Sequence, residues 1–381
     1  MRFLIVIGGF FPGKKCGGPP VSVDNFCSLM KEHEIYIVTV NHDLFDSKPY
    51  EDICDGWNDR GNCKVLYLED TQYNKNTFRK VINEIKPDVL YLQGIFQSCI
   101  LPCLQLAKEY GIKVLLAPRG ELCEGAFNLK RYKKKPYVKL IRALGLVKNV
   151  NWQSTSDEET EAIKKLMKAS DDHIYRLENI PSIPHIEYSR REKKAGEARF
   201  VFLSRIHPKK NLIFAISLFK EIKGQVHFDI YGPIEDENYW KQCQEEIRKQ
   251  PANVKVEYKG LINHDAVHEV ISQYDAFLFP TFSENYGHVI AESLIVGTPV
   301  IISDQTPWRN LEEVGAGWDI KLQDETEFIR AIQIIINENK NDASRHSKSA
   351  LEYSKSMMKI DELKKTYDSV LECIQGTEIN L

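Results

Sequence analysis

No segment of the chain holds about eighteen apolar residues in a row without a charge, so no stretch reads as a membrane-spanning helix. The opening apolar run, Phe3–Ile7, stops at Gly8-Gly9 and is too short for the core of a signal peptide. The expectation is a soluble, cytoplasmic protein, at most peripheral on the inner face of a membrane. A charge excess is missing too. The 51 Lys and Arg against 54 Asp and Glu leave a net charge of -3, which gives no global electrostatic reason to seek nucleic acid. Zinc-type cysteine spacing is absent: the nine cysteines are scattered, without repeated C-x2-C, and read as reduced, partly buried thiols. The only tight aspartate pair, Asp171-Asp172, falls at a helix end before a strand and reads as exposed, so no metal site is expected.

What the chain does have is alternation. Short runs rich in Val, Ile and Leu (Phe3–Ile7, Ile35–Val40, Val65–Leu68, Val89–Leu92, Val114–Ala117 and Trp152–Thr155) read as strands buried on both faces. Amphipathic segments at Val21–Met30, Thr77–Ile85 and Ile100–Tyr110 read as the helices between them. Ser156-x-x-Glu159 predicts a capping box that opens a helix to about Lys168. Prolines at 181 and 184, then the charged and flexible run Ser189–Glu197, mark a linker. The alternation then restarts with strands at Phe200–Leu203, His227–Tyr231, Val254–Tyr258, Ala276–Phe279 and Pro299–Ile302. Helices are expected at Leu212–Ile222, Asn238–Lys249, Ala266–Gln273 and Val289–Val296, with another capped by Asp324. Two further helical stretches, about Ser344–Ser356 and Asp361–Ile374, finish the chain. The expected fold class is α/β: two doubly wound Rossmann-like domains facing across a cleft, where ligands of such sheets bind. The expected division is a first domain over 1–185 and a second over 186–358. A C-terminal helix within 359–381 is expected to return to the first domain.

Three loops carry candidate chemistry. After the first strand, Gly8 to Pro12 leads into Gly13 and then Gly17-Gly18-Pro19-Pro20 at a helix start. Glycine lets a ligand approach the backbone, and a helix N-terminus suits phosphate. This is neither G-x-G-x-x-G nor the P-loop pattern. The second half opens with Arg205, at the end of a buried strand, and Lys210 five residues on. Two cations there can neutralise a diphosphate leaving group, the alternative being a solvated basic loop. The third loop runs Phe279-Pro-Thr-Phe-Ser-Glu284-Asn285-Tyr286-Gly287-His288-Val-Ile-Ala-Glu292. Glu292 falls in an apolar, buried helix, and a buried carboxylate needs partners or stays protonated. Ribose hydroxyls would satisfy it. Asn285, Tyr286 and Gly287 can offer backbone N–H groups to a sugar, and His288 is the only histidine of the segment.

These residues resemble the glycosyltransferases of family 4, retaining enzymes of the GT-B fold whose signature is Glu-x7-Glu, met here by Glu284 and Glu292. Thr306-Pro-Trp308, Gly315-Ala-Gly-Trp318 and Pro118-Arg119-Gly120-Glu121 resemble a bacterial subset that assembles polysaccharide. The resemblance implies transfer of a sugar from a UDP- or GDP-sugar to a hydroxyl of a glycan or lipid-linked glycan, in capsule, O-antigen or other surface-polysaccharide assembly. By the same resemblance Glu284 holds the donor sugar, Glu292 binds ribose, Arg205 and Lys210 stabilise the departing diphosphate, and Gly17-Gly18 lies over the donor phosphates. No cofactor or metal is implied, because the two cations replace the ion. Where many members carry a histidine, this chain has Arg119-Gly120-Glu121, and Arg119 or Glu121 takes that place. A nucleotide-sugar epimerase of similar fold, or a non-catalytic binding subunit, is the rival reading.

Lys130 to Lys135 with Lys139 and Arg142 form the densest basic patch, and Tyr132, Tyr137, Leu140 and Ile141 make it amphipathic. Its lysines, Lys133, Lys134 and Lys135 among them, would meet an anionic membrane or a lipid-diphosphate acceptor, or simply solvate a helix face.

Overall fold

The computed structural model describes residues 1–44, 46–182 and 192–376. The chain divides into two compact units, Met1–Ile180 with Ile360–Leu381, and Pro181–Lys359. The expected linker falls largely on 183–191, outside the described residues.

In the first unit, β1 (Arg2–Val6), α1 (Gly18–Leu29), β2 (Glu34–Val40), β3 (Trp57–Asp59), β4 (Lys64–Leu68), α2 (Lys75–Ile85) and β5 (Val89–Gln93) follow in order. Then come α3 (Ile100–Tyr110), β6 (Lys113–Ala117), α4 (Glu124–Asn128), α5 (Arg131–Ala143), β7 (Val150–Ser154), α6 (Asp157–Met167) and β8 (Ile174–Arg176). The sheet runs β3-β4-β2-β1-β5-β6-β7-β8, and every pair is parallel except β3 with β4. Alternate residues of β1 feed opposite faces, the period-two consequence of the pleat. Leu4 and Val6 join the core under α2, α3, α5 and α6. Phe3 and Ile5 join the core built with α1 residues Val21, Val23 and Phe26.

The second unit continues with β9 (Glu197–Leu203), α7 (Leu212–Ser217), β10 (Gln225–Tyr231), α8 (Glu237–Arg248), β11 (Val254–Gly260), α9 (Val267–Ser272) and β12 (Ala276–Phe279). It ends with α10 (His288–Ile295), β13 (Val300–Ser303), β14 (Gly317–Ile320), α11 (Glu325–Asn337) and α12 (Lys340–Met358). Its sheet is parallel throughout, in the order β11-β10-β9-β12-β13-β14. The last helix, α13 (Ile360–Gln375), belongs to the first unit. There Tyr367 receives a hydrogen bond from Gln153 (3.1 Å) and donates one to the Glu178 carbonyl (2.9 Å). Tyr367, Leu371 and Ile374 close the α1 side of the core.

Strand order reverses between β1 and β5 in one sheet and between β9 and β12 in the other. The loops leaving the carboxyl ends of those strands are where such sheets place ligands.

Several local expectations need correction. Ser156 caps α6 by accepting the Glu159 amide (3.1 Å), but the return half of the capping box is missing, because the Glu159 carboxylate is turned elsewhere. The helix expected to reach Ile222 ends at Ser217. The helix expected from about Ser344 begins at Lys340, behind a capping box in which Asn339 and Asp342 cap each other. The strand β14 was not expected. Its Gly317 has φ 145° and backs so closely on the Val300 carbonyl that a Cβ would fall 2.0 Å from the oxygen.

Candidate active site

The loops after β9 and β12 are laced together by backbone. The Phe282 amide donates to the Lys209 carbonyl (3.0 Å), and the Asn211 side chain donates to the Pro280 carbonyl (3.0 Å). Asn211 adopts φ 58°, a left-handed conformation that asparagine tolerates. The lacing brings Lys210 and Glu284 into direct ion-pair contact, both side chains largely buried. The Lys210 ammonium also lies 5.5 Å from the centre of the Phe279 ring. Burial lowers the Lys210 pKa; Glu284 opposes that shift, and the neighbouring Arg205 charge adds to it. Arg205 itself is more open and pairs with Glu235 at 2.7 Å. The structure therefore brings Arg205, Lys210 and Glu284 into one charged cluster at the switch point. Glu235, which follows β10, was not singled out from sequence. The nearby Gly232 could have flagged it: with φ 129° its backbone presses on the Ser204 carbonyl, locking the two loops together.

Glu292 stands apart from that cluster in its partners. It is 4% exposed on α10, and the His264 imidazole Nδ1 lies 4.0 Å from its carboxylate. Desolvation pushes its carboxyl up to about 7. Between the two glutamates, Gly287 caps α10 with φ 78°, where a Cβ would approach Ile290 Cδ1 to 2.8 Å. Glu284 is tethered through its amide to the Gln305 carbonyl (3.0 Å). The indole of Trp308 donates to the Tyr286 carbonyl (2.7 Å), and their rings meet edge to face. His288 also meets the Tyr286 ring edge to face, with ring centres 4.9 Å apart. Trp308 is thus the brace of the Asn285–His288 turn, a role its motif alone did not reveal.

In the first unit, the glycine loop is wrapped around a buried carboxylate. Asp43 accepts the amides of Lys14 (2.7 Å), Lys15 (3.1 Å) and Leu44 (2.8 Å). Those amides serve Asp43, so any phosphate must use the segment after them. Gly17 holds φ 70°, ψ -143° just before α1, a region open essentially to glycine. Pro19 and Pro20 carry no N–H, so in the first turn of α1 only Gly18 and Val21 can donate. The helix start is a leaner anion site than the sequence suggested.

The Arg119-Gly120-Glu121 turn lies at the end of β6. Arg119 has φ 56° and its guanidinium is fixed by Gln93 (2.9 Å), Asn179 (2.8 Å) and the Tyr91 hydroxyl (3.3 Å). Glu121 turns inward and one of its oxygens accepts the Ile95 (2.5 Å) and Phe96 (3.1 Å) amides after β5. Burial raises its pKa, against those bonds and the Lys134 charge. Gly120 donates its amide to Glu159 (2.6 Å), which also accepts the Thr155 amide and hydroxyl, both at 2.8 Å. Glu159, the expected capping-box partner of Ser156, is instead a fastening for this turn.

The basic segment is helical as α5. Lys133 and Lys135 are exposed, whereas Lys134 donates to the Ala126 carbonyl (2.7 Å) and sits over the Phe96 ring. Asp171-Asp172 forms an exposed turn, with Asp171 paired to Lys164 (2.6 Å). Among the described residues, Glu32, His33 and Asp368 gather three potential metal-ligating atoms, and the Lys364 ammonium already bonds both carboxylates.

Residues 186–352 match the profile of the family described as glycosyl transferases group 1. No curated protein sequence matches the chain. Among solved structures, sucrose-phosphate synthase from Thermosynechococcus elongatus superposes with a TM-score of 0.72 at 14% identity, over 99% of this chain and 100% of that one. The Anabaena protein HepE in complex with UDP and glucose gives 0.68 at 13% identity, over 98% and 100%. WaaG, a glycosyltransferase of lipopolysaccharide biosynthesis, gives 0.65 at 12% identity, over 98% and 100%. The two parallel sheets and these likenesses define the GT-B architecture. The group 1 profile falls on the second unit, the one that carries Arg205, Lys210, Glu284 and Glu292, and supports glycosyltransferase activity there.

Proposed function

We propose that the protein transfers a hexosyl group, with retention, from a UDP- or GDP-sugar to a hydroxyl of a glycan or lipid-linked glycan in surface-polysaccharide assembly, without a metal ion. The observation that carries this reading is the cluster of Arg205, Lys210 and Glu284 at the reversal of strand order. Lys210 and Arg205 compensate the charge that grows on the diphosphate as its bond to the anomeric carbon breaks. Electrostatic compensation of this kind is usually the largest catalytic contribution. Glu284 accepts hydrogen bonds from donor-sugar hydroxyls, held in place by Lys210 and the Gln305 carbonyl. Glu292 takes the ribose hydroxyls, which supply the partners its burial demands. Asn285, Tyr286, Gly287 and His288 form the turn beside the sugar, with Trp308 behind it. The amides of Gly17 and Gly18 meet phosphate oxygens.

The acceptor oxygen attacks on the face from which the diphosphate departs, and its proton leaves on the released phosphate. Arg119 and Glu121 shape the acceptor side. Both are half-buried and fastened by internal bonds. UDP and glucose bound to HepE support a uridine donor. Contact with an anionic membrane through the basic helix would keep the enzyme near a lipid-linked acceptor.

A thermal-shift screen of UDP, GDP and ADP sugars tests the donor. A ligand at 100 times its dissociation constant adds about 2.7 kcal/mol. Product analysis then separates transfer, which yields a glycoside and nucleoside diphosphate, from epimerisation of the free donor. Loss of turnover on chelation overturns the metal-free mechanism.

A further inference from the structure

The helix α5 sorts its residues into three rows. Lys134, Val138 and Ile141 face the protein, and the last two are in the core. Arg131, Lys135, Lys139 and Arg142 form a second, exposed row. Tyr132, Pro136, Leu140 and Leu144 form the third at intervals of four, and it too is open. Tyr132 is 73% exposed, Leu140 46% and Leu144 45%, and Leu129 just before the helix is 71% exposed. Those are four of the eleven large apolar side chains that stand exposed among the described residues. No acidic residue occurs from Lys130 to Ala143, and among the described residues no carboxylate pairs with the cationic row. A concentrated positive row on a chain of net charge -3 is a local device, not a by-product of composition.

We infer that α5 is an in-plane membrane anchor: the Leu129/Tyr132/Leu140/Leu144 row enters the interface of a bilayer while the Arg131/Lys135/Lys139/Arg142 row binds anionic phospholipid headgroups. This deepens the membrane contact proposed above and does not rest on the transfer chemistry. The apolar row decides between partners. A polyanion such as RNA would use the cations and leave Leu129, Leu140 and Leu144 in water, whereas a bilayer satisfies both rows. The helix is too short to span, and among the described residues no helix is long and apolar enough to cross a membrane, so it lies along the surface. Lys134 is excluded from the contact because its ammonium is held by the Ala126 carbonyl.

Co-sedimentation of the full chain with vesicles of phosphatidylcholine, with and without phosphatidylglycerol, tests this. Binding should appear with phosphatidylglycerol and weaken with salt. Each cation near an anionic surface changes partitioning about fivefold. Lys135→Gln/Lys139→Gln should therefore lower it on the order of twentyfold. Tyr132→Ser/Leu140→Ser, which leaves the charge intact, should also lower it at least tenfold. Both variants alter only exposed positions and should keep the wild-type melting temperature and the UDP-induced thermal shift. Either single change, Lys139→Gln or Leu140→Ser, serves if a double variant fails to fold. Vesicle binding unchanged in the apolar variant overturns the anchor, as does retention on polyuridylate without binding to vesicles. Loss of the UDP shift with vesicle binding intact would instead count against the donor reading alone.

Discussion

Lys210 buries its ammonium against the carboxylate of Glu284, although one residue follows β9 and the other follows β12. The pair welds two loops at the point where strand order reverses, so it is structural as well as chemical. Removing one partner strands the other in a poorly solvated place. Lys210→Met should therefore cost on the order of 3 kcal/mol of stability, and Lys210→Met/Glu284→Gln less than the sum of the single changes. Urea denaturation of the four proteins in the cycle measures this. Strict additivity would mean that the two groups do not interact.

Arg205 offers the opposite balance. Its pair with Glu235 is open to solvent, and such pairs contribute roughly 0–1 kcal/mol. Arg205→Ala should leave the melting temperature nearly unchanged while lowering kcat/KM by about 100- to 1000-fold. Steady-state kinetics beside a melting curve decides the matter, and near-normal turnover would remove Arg205 from the diphosphate.

Glu292 gives a pH signature. Its carboxyl titrates near 7 in the folded chain because burial disfavours the charge. In the unfolded chain it titrates at about 4.3. Between those values the folded state holds the extra proton, so this group's contribution to stability falls as pH rises from the lower value to the upper and is flat beyond. Glu292→Gln should be roughly 3 kcal/mol more stable than wild type above pH 7, relative to their difference near pH 4. The ionised form is the better acceptor for ribose hydroxyls, so UDP affinity should weaken as pH drops through about 7. Calorimetry across pH checks both, and a pH step that survives in Glu292→Gln assigns it to another group.

The fold was legible where side chains alone decide it. Runs such as Phe3–Ile7 and Ala276–Phe279 are apolar on both faces because helices cover both sides of a parallel sheet, and that pattern needs no partner to be seen. Trp57–Asp59 and Gly317–Ile320 escaped notice because one is short and polar and the other opens on a glycine, selected by the approach of Val300. The charged members of the site were legible as residue types on loops, and their partners were not. Lys210 announces a cation, but nothing local says that Glu284 faces it. Asp43, Glu159 and Glu235 work through contacts distant in sequence, and a carboxylate that anchors a loop looks from sequence like any exposed one.

Trp308 braces the Asn285–His288 turn through a single hydrogen bond to the Tyr286 carbonyl. Trp308→Phe keeps most of the buried ring and deletes that donor, so the stability loss should be about 1 kcal/mol. If the turn holds the sugar, the KM for donor should rise while UDP binding changes less, since the ribose contact proposed for Glu292 is untouched. A variant whose donor KM is unchanged would reduce Trp308 to packing.

Glu159 fastens the turn that carries Arg119 and Glu121. One carboxylate oxygen accepts the Gly120 amide, and the other accepts the Thr155 amide and hydroxyl. Glutamine has the same shape but only one accepting oxygen, so its NH2 must confront either the Gly120 donor or the Thr155 pair. A buried donor left without an acceptor costs about 1–3 kcal/mol. Glu159→Gln should lower the urea midpoint without changing the slope of the transition, the mark of altered stability rather than altered compactness. Because Arg119 follows directly from β6 into this turn, its bonds to Gln93 and Asn179 should loosen with it, and kcat should fall further than the stability loss alone explains at temperatures well below the melting point. Glu159→Ala, which removes the confrontation but also both acceptors, should be no more active. A Glu159→Gln protein with the wild-type midpoint and wild-type kcat would show that the turn holds itself.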